Sequence, residues 1–209
     1  MLQTLFYGFI VTAAWLVWHI GFRIQVIGKE NIPKEGGFVL ASNHLSAVDP
    51  VFLVIARYWG KKMIILGKDE LMHLNPILTW MFRAVGVRGV ERGKGDTDLI
   101  DGIIRDMKEE GRGLLIFPEG TRSKTGELGK VKSGAFVIAS AAGVPMVPAR
   151  IIYSTGLLKV FCRARVCFGE PIPAEELFLG ETKSAAKLRA CKKRLNEAWD
   201  ALYEANKFE

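Results

Sequence analysis

Between Leu2 and Phe22 the chain carries no Asp, Glu, Lys or Arg. As a helix, about 20 such residues rise roughly 30 Å, close to the hydrocarbon thickness of a bilayer. Aliphatic residues fill the run, with Tyr7, Trp15 and Trp18 among them. A cleaved signal peptide fits poorly: there is no basic stretch ahead of the apolar run, and the small residues Thr12-Ala13-Ala14 come too early for a cleavage site. A buried core helix passes the same test of composition. The expectation is a membrane anchor over residues 1–24 followed by one globular domain over 25–209. Arg23, Lys29 and Lys34 follow the run, and the positive-inside rule then puts the domain at the cytoplasmic face of the cell membrane.

With 209 residues, 49% of them hydrophobic, the chain is long enough to bury a core and too apolar to be disordered. Its net charge of +7 suits nucleic acid, anionic lipid or phosphorylated small molecules alike. Cys162, Cys167 and Cys191 are odd in number and form no C-x-x-C pair, which argues against a disulfide framework or a structural zinc. Cys162 and Cys167 fall in one strand-like run and should face opposite sides; all three read as ordinary thiols.

Past the apolar run, strand and helix patterns alternate. Short apolar strands are expected at 38–41, 63–66, 87–90, 114–117, 146–152 and 159–168. Helices are expected at 49–59, 74–85, 96–110, 133–142 and 184–206. Asp49-Pro50 suits a helix start, with Asp49 as the cap. Such alternation predicts an α/β domain with a mostly parallel central sheet flanked by helices, and sites in such sheets gather beyond the strand C-terminal ends. His44 follows the first of these strands and Glu119 follows the 114–117 strand.

Asn43-His44-Leu45-Ser46-Ala47-Val48-Asp49 pairs a histidine with a carboxylate. A histidine serves as general base at neutral pH, and a carboxylate fixes its tautomer. On one straight helix the two side chains would diverge by about 140°. They can meet if Asp49 begins a helix and His44 folds back from the turn before it. The plainer reading makes Asp49 a helix cap and His44 a polar loop residue. No G-x-S-x-G elbow or nearby cysteine supplies an enzyme nucleophile, so a base here would activate a substrate hydroxyl directly.

Phe117-Pro118-Glu119-Gly120-Thr121-Arg122-Ser123 ends a buried strand in a tight loop that presents a carboxylate, a guanidinium and two hydroxyls. Arg122 suits bidentate contact with a phosphate, and Glu119 can accept from hydroxyl groups. Lys124, Lys130 and Lys132 add positive charge. A solvated loop with a surface Glu–Arg pair is the bland alternative. Arg88, Arg92 and Lys94 in the Gly-rich run 86–93 match no P-loop register and, alone, read as a basic turn.

Taken together these blocks resemble the glycerolipid acyltransferase superfamily, in particular bacterial 1-acyl-sn-glycerol-3-phosphate acyltransferases. The block N-H-x-S-x-x-D is matched by Asn43, His44, Ser46 and Asp49. A Gly, short strand and Arg are matched loosely by Gly86 to Arg92, with Val90-Glu91-Arg92 where many members have an aspartate before the arginine. F-P-E-G-T-R-S is matched in full at 117–123, and V-P-x-V-P by Val144, Pro145, Val147 and Pro148. The resemblance implies that His44 is the general base and Asp49 its orienting partner. It implies that Arg92, Glu119, Gly120, Thr121 and Arg122 hold the glycerol phosphate, and that the fourth block shapes the acyl-chain region. The implied reaction moves an acyl group from acyl-ACP or acyl-CoA to the sn-2 hydroxyl of lysophosphatidic acid, giving phosphatidic acid at the bilayer. It implies no metal and no cofactor, because a thioester is already an activated acyl donor.

Two other readings stay open. One is an acyltransferase for another lysophospholipid or for glycerol 3-phosphate. The other is a non-catalytic membrane protein that binds anionic lipid through its charge. A nucleic-acid-binding protein is disfavoured, since no recognition motif accompanies the basic residues.

Overall fold

In a computed structural model of the chain, which describes residues 2–57, 61–73, 75–90, 97–180 and 184–209, the apolar run forms one continuous helix, α1 (Leu2–Phe22). Its Tyr7, Val11, Ala14, Trp18 and Phe22 fall on one face and pack into the core, with Val11 buried. Leu5, Phe9, Leu16, Val17 and Ile20 project outward into the open. One apolar face thus has a partner in the protein, and the other has none among the described residues.

The chain then runs through β1 (Ile24–Ile27), β2 (Phe38–Ser42), α2 (Asp49–Arg57), β3 (Ile64–Lys68), α3 (Pro76–Ala84) and β4 (Val87–Val90). After these come α4 (Thr97–Glu109), β5 (Gly113–Ile116), α5 (Gly134–Ala142), β6 (Met146–Tyr153), β7 (Ala164–Phe168), α6 (Ala174–Leu177) and α7 (Ala185–Asn206). The strands form one seven-stranded sheet in the order β1-β7-β6-β2-β5-β3-β4. The five strands β2 to β6 run parallel; β7 is antiparallel to β6, and β1 is parallel to β7. This is the α/β architecture with a mostly parallel, helix-flanked sheet that the alternating pattern predicts.

Every residue of β2 and β6 is buried, as their near-continuous apolar sequences require for strands covered on both faces. Phe38, Leu40, Val147, Ala149, Ile151 and Tyr153 face α1 and α2, where Phe52 receives Trp18 at 5.4 Å and Phe22 at 5.6 Å between ring centroids. Val39, Ala41 and Met146 face α4, α5 and α7, and the indole of Trp199 on α7 donates to Ala41 O at 3.2 Å.

Some expectations need correction. The boundary drawn at residues 24/25 falls inside β1, a four-residue strand too short to leave a periodic signal. The strand expected from residue 159 begins only at Ala164; residues 157–161 form a loop, with Phe161 at φ 60°. Cys162 therefore precedes β7 rather than sharing a strand with Cys167, and both thiols are buried. The third helix starts at Pro76, because Asn75 caps it by accepting from Leu78 N at 2.8 Å.

Candidate functional site

Strand register builds the site. Ala41 of β2 lies opposite Ile116 of β5, so His44 and Glu119 each stand three residues beyond a paired position at the strands' C-terminal ends. On the other side of β2, Ser42 pairs with Ala149 of β6, and the ladder is prolonged by a side chain. Asn43 Oδ1 accepts from Ile151 N at 2.8 Å, and its Nδ2 donates to Ile151 O at 3.0 Å. A buried amide thus takes the place of a backbone rung and fixes the chain just before His44.

His44 folds back from the turn preceding α2 onto Asp49, with Nδ1 2.9 Å from Asp49 Oδ2. A carboxylate accepts only, so Nδ1 carries a proton, and in the neutral ring Nε2 is the nitrogen with the free lone pair. Among the described residues Nε2 has no partner. The ring stacks on Phe117, centroids 4.0 Å apart. The His44 side chain is 16% exposed while Asp49 is wholly buried.

Asp49 does not cap the helix, contrary to the sequence expectation. It is the first helical residue, and its carboxylate turns back over the loop. Oδ2 also accepts from Leu45 N at 2.6 Å and Ser46 N at 2.7 Å; Oδ1 accepts from the Tyr153 hydroxyl at 2.6 Å. These bonds compensate the burial of a charge. Burial, and then the neighbouring Asp49 charge, raises the Tyr153 pKa, so the phenol stays protonated as a donor. Tyr153 was missed from sequence: it ends an apolar strand 104 residues from Asp49, and nothing local marks it.

Glu119 holds the two motifs together. It is buried, Oε1 accepts from His44 N at 2.8 Å, and Oε2 accepts from Gly129 N at 2.5 Å. Both oxygens are therefore engaged by backbone, which differs from the open hydroxyl-binding group that the sequence suggests. Ser123 N donates to His44 O at 2.8 Å, a second tie between the loops. Gly120 has φ 71°, where a Cβ would also meet Lys132 Nζ at 2.6 Å, and a Cβ at Gly129 would lie 2.8 Å from Glu119 Oε2. Glycine suits both positions for these reasons.

Thr121 and Arg122 are exposed, with no side-chain partner among the described residues. Lys124, Lys130 and Lys132 are exposed on the same loop. Arg88, by contrast, is tied to Asp106, which also binds Arg112 at 3.1 Å, in a link between β4, α4 and the turn before β5. Arg92 and Lys94 lie outside the described residues.

A second His–Asp pair exists that the sequence reading passed over. His73 Nε2 lies 2.9 Å from Asp69 Oδ2. His73 is 72% exposed and Asp69 35%, so water competes for both groups. Burial of the carboxylate separates the two pairs.

Arg150, buried on β6, has Nε and Nη1 without hydrogen bonds among the described residues and lies over the Tyr203 ring at 5.1 Å. Burial lowers its pKa, opposed by the charges of Asp200 and Glu119. All three thiols are buried and unbridged, and burial raises Cys167 to about 11 and pushes Cys191 up as well. The arrangement as a whole offers an oriented imidazole beside a loop whose Thr121 hydroxyl and Arg122 guanidinium have no partner among the described residues.

The model for the Acyltransferase family matches residues 23–152, well over half of the sequence, and the chain belongs to that family. It is 30% identical over 141 residues to the 1-acyl-sn-glycerol-3-phosphate acyltransferase of Borreliella burgdorferi, covering 66% of this chain and 54% of the relative. With the enzyme of the same name from Streptococcus pneumoniae it shares 29% identity over 165 residues, 78% of this chain and 60% of the relative. The chain spans about half the length of the curated relatives it matches. The crystal structure of the 1-acyl-sn-glycerophosphate (LPA) acyltransferase PlsC from Thermotoga maritima superposes with a TM-score of 0.71 at 23% identity, covering 97% of this chain and 80% of that one, which establishes the common fold.

Proposed function

We propose that this protein transfers a fatty acyl group from an acyl thioester, acyl-ACP or acyl-CoA, to the sn-2 hydroxyl of 1-acyl-sn-glycerol 3-phosphate, forming phosphatidic acid for phospholipid synthesis. The observation that carries the reading is the buried Asp49 holding His44 Nδ1 while Ser123 and Glu119 bind the His44 backbone to the Arg122 loop. The named relatives support it, because they are 1-acyl-sn-glycerol-3-phosphate acyltransferases.

In this mechanism His44 Nε2 takes the acceptor hydroxyl's proton as its oxygen attacks the thioester carbonyl. The tetrahedral intermediate collapses, the C–S bond breaks, and the thiolate leaves and takes up the proton from His44. Asp49 stabilises the transient imidazolium. No acyl-enzyme forms. Arg122, with Thr121, Gly120 and Arg92, meets the acceptor phosphate, and Glu119 holds His44 and the 129 region in place.

Residues 1–24 act as the membrane anchor and 25–209 as the acyltransferase domain at the cytoplasmic face. Since α1 packs along the domain by one apolar face, it lies in the plane of the bilayer surface with Leu5, Phe9, Leu16 and Ile20 toward lipid. Ile77 and Trp80 of α3, exposed beside Phe6, continue that face.

The test is to incubate the purified protein with lysophosphatidic acid and thioesters of both carriers, beside His44→Ala. Wild type forms phosphatidic acid and the variant loses about 10²–10⁴-fold in turnover. Equal turnover by His44→Ala removes the base assignment. Activity only on glycerol 3-phosphate or another lysolipid redirects the acceptor.

A further inference from the structure

The loop between β6 and β7 exposes two large apolar residues at its tip. Val160 is 77% exposed and Phe161 78%. A single exposed apolar side chain is ordinary, but this pair is presented by a braced frame. Leu158 packs on the core and Cys162 is buried on either side of it. Cys162 N donates to Lys159 O at 3.1 Å, Ser154 N to Arg163 O at 2.9 Å, and Arg163 N to Ser154 Oγ at 3.1 Å. Phe161 adopts φ 60°, uncommon for a bulky residue, with its ring outside the fold.

The position of the tip matters as much as its composition. Tyr153, the donor to Asp49, pairs with Ala164 across the β6–β7 hairpin, so the loop rises from the sheet end that carries His44. Ala164 also pairs with Ile24, two residues past the end of α1, so the tip shares a corner with the C-terminus of that helix. Gly126 lies against Gly156, which brings the 123–127 loop alongside. By their places in the chain Arg23, Lys124, Lys159 and Arg163 flank this corner with Glu127, and the Arg163 guanidinium lies over the Phe208 ring at 4.9 Å, which brings Glu209 there as well. An apolar tip in a basic surround is complementary to an anionic lipid surface.

We infer that Val160 and Phe161 insert into the anionic bilayer as a second contact beside the His44 site, separate from α1. The inference rests on the proposed lipid-facing role of α1. Two contacts at one corner fix the rotation of the domain about α1, so that the His44 end faces the lipid in which the acceptor is dissolved.

Because all three native thiols are buried, Val160→Cys or Phe161→Cys in the full chain can be labelled selectively with an environment-sensitive fluorophore. A label at Glu197→Cys on α7 is the comparator. On phosphatidylglycerol–phosphatidylcholine vesicles, labels at 160 and 161 should shift to the blue and be quenched by lipids carrying quencher on the acyl chain. The 197 label should stay water-like. The double variant Val160→Ser/Phe161→Gly, which also suits the positive φ, should bind these vesicles roughly tenfold more weakly. Flotation of the chain with the 160 and 161 labels still in water overturns the inference and leaves the α1 reading standing; failure to float overturns both. A blue shift without lipid that grows with protein concentration means a second copy covers the tip, and overturns it too. Acyl transfer, assayed separately, judges the enzymatic reading alone.

Discussion

Glu119 Oε1 accepts the backbone N–H of His44 at 2.8 Å while Oε2 accepts that of Gly129 at 2.5 Å, so one buried carboxylate clasps two loops. Glu119→Ala leaves two amides without acceptors and should destabilise the fold by about 1–3 kcal/mol. Turnover should fall with it, while the KM for the acceptor changes little, because the clasp positions His44 instead of touching substrate. A large rise in KM at unchanged kcat would restore the direct glycerol-binding role. Gly129→Ala, with a Cβ 2.8 Å from Oε2, should produce the same pattern by pushing the clasp apart.

Asp49→Asn keeps the size of the side chain and removes its charge. Its amide can face His44 only as a donor or as a weaker acceptor, so the tautomer that frees Nε2 is no longer enforced. Steady-state kinetics should show kcat reduced about 10²–10⁴-fold with little change in KM. A variant with near-normal kcat would dismiss the pair as a helix-start motif.

His73→Ala is the matching control. The His73–Asp69 pair has the same 2.9 Å separation but lies in water. Turnover and melting temperature should match wild type, the pair being worth roughly 0–1 kcal/mol. Loss of activity here would show that burial is the wrong criterion for choosing between the two histidines.

Alkaline pH should reveal the buried phenol and thiol. Burial raises Cys167 from 9.0 to about 11, and burial with the Asp49 charge raises Tyr153 from 10.0. Both groups bind a proton more tightly folded than unfolded. Their effect on stability is absent below about pH 9 and destabilising as pH rises, since the unfolded chain ionises first. Urea unfolding should show stability falling from about pH 9, and Cys167→Ala should flatten the part between 9 and 11. Tyr153→Phe should flatten the part above about 10 and lower stability at neutral pH by about 1–3 kcal/mol, Asp49 Oδ1 having lost its donor.

Much of the architecture was legible because β2, β5 and β6 are short apolar runs bounded by turn residues, and because Ser184 opens one helix and Gly143 closes another. His44 with Asp49 was legible because the spacing is local and only a turn ending at a helix start satisfies it. Tyr153 and the clasp formed by Asn43 and Ile151 were not, because they join residues 104 and 108 positions apart through the register of β2 against β6. Glu119 was located but its partners were not, since the amides it binds carry no side-chain signature. The short β1 was hidden by the charge change at Arg23, which marks the end of a helix more clearly than the start of a strand.

The pairing of Ala41 with Ile116 has one more consequence. His44 and Glu119 meet because each is offset by the same three residues from that rung. A slip of one residue would move them about 3.3 Å apart along the strands, more than the whole tolerance of a hydrogen bond, and would turn every β5 side chain to the opposite face. The site therefore works as a vernier for the central sheet. A chain that closes in the wrong alignment has no braced imidazole at all, so under the proposed mechanism misassembly would yield silence instead of misdirected chemistry, and turnover per molecule would count the correctly zipped fraction of a preparation.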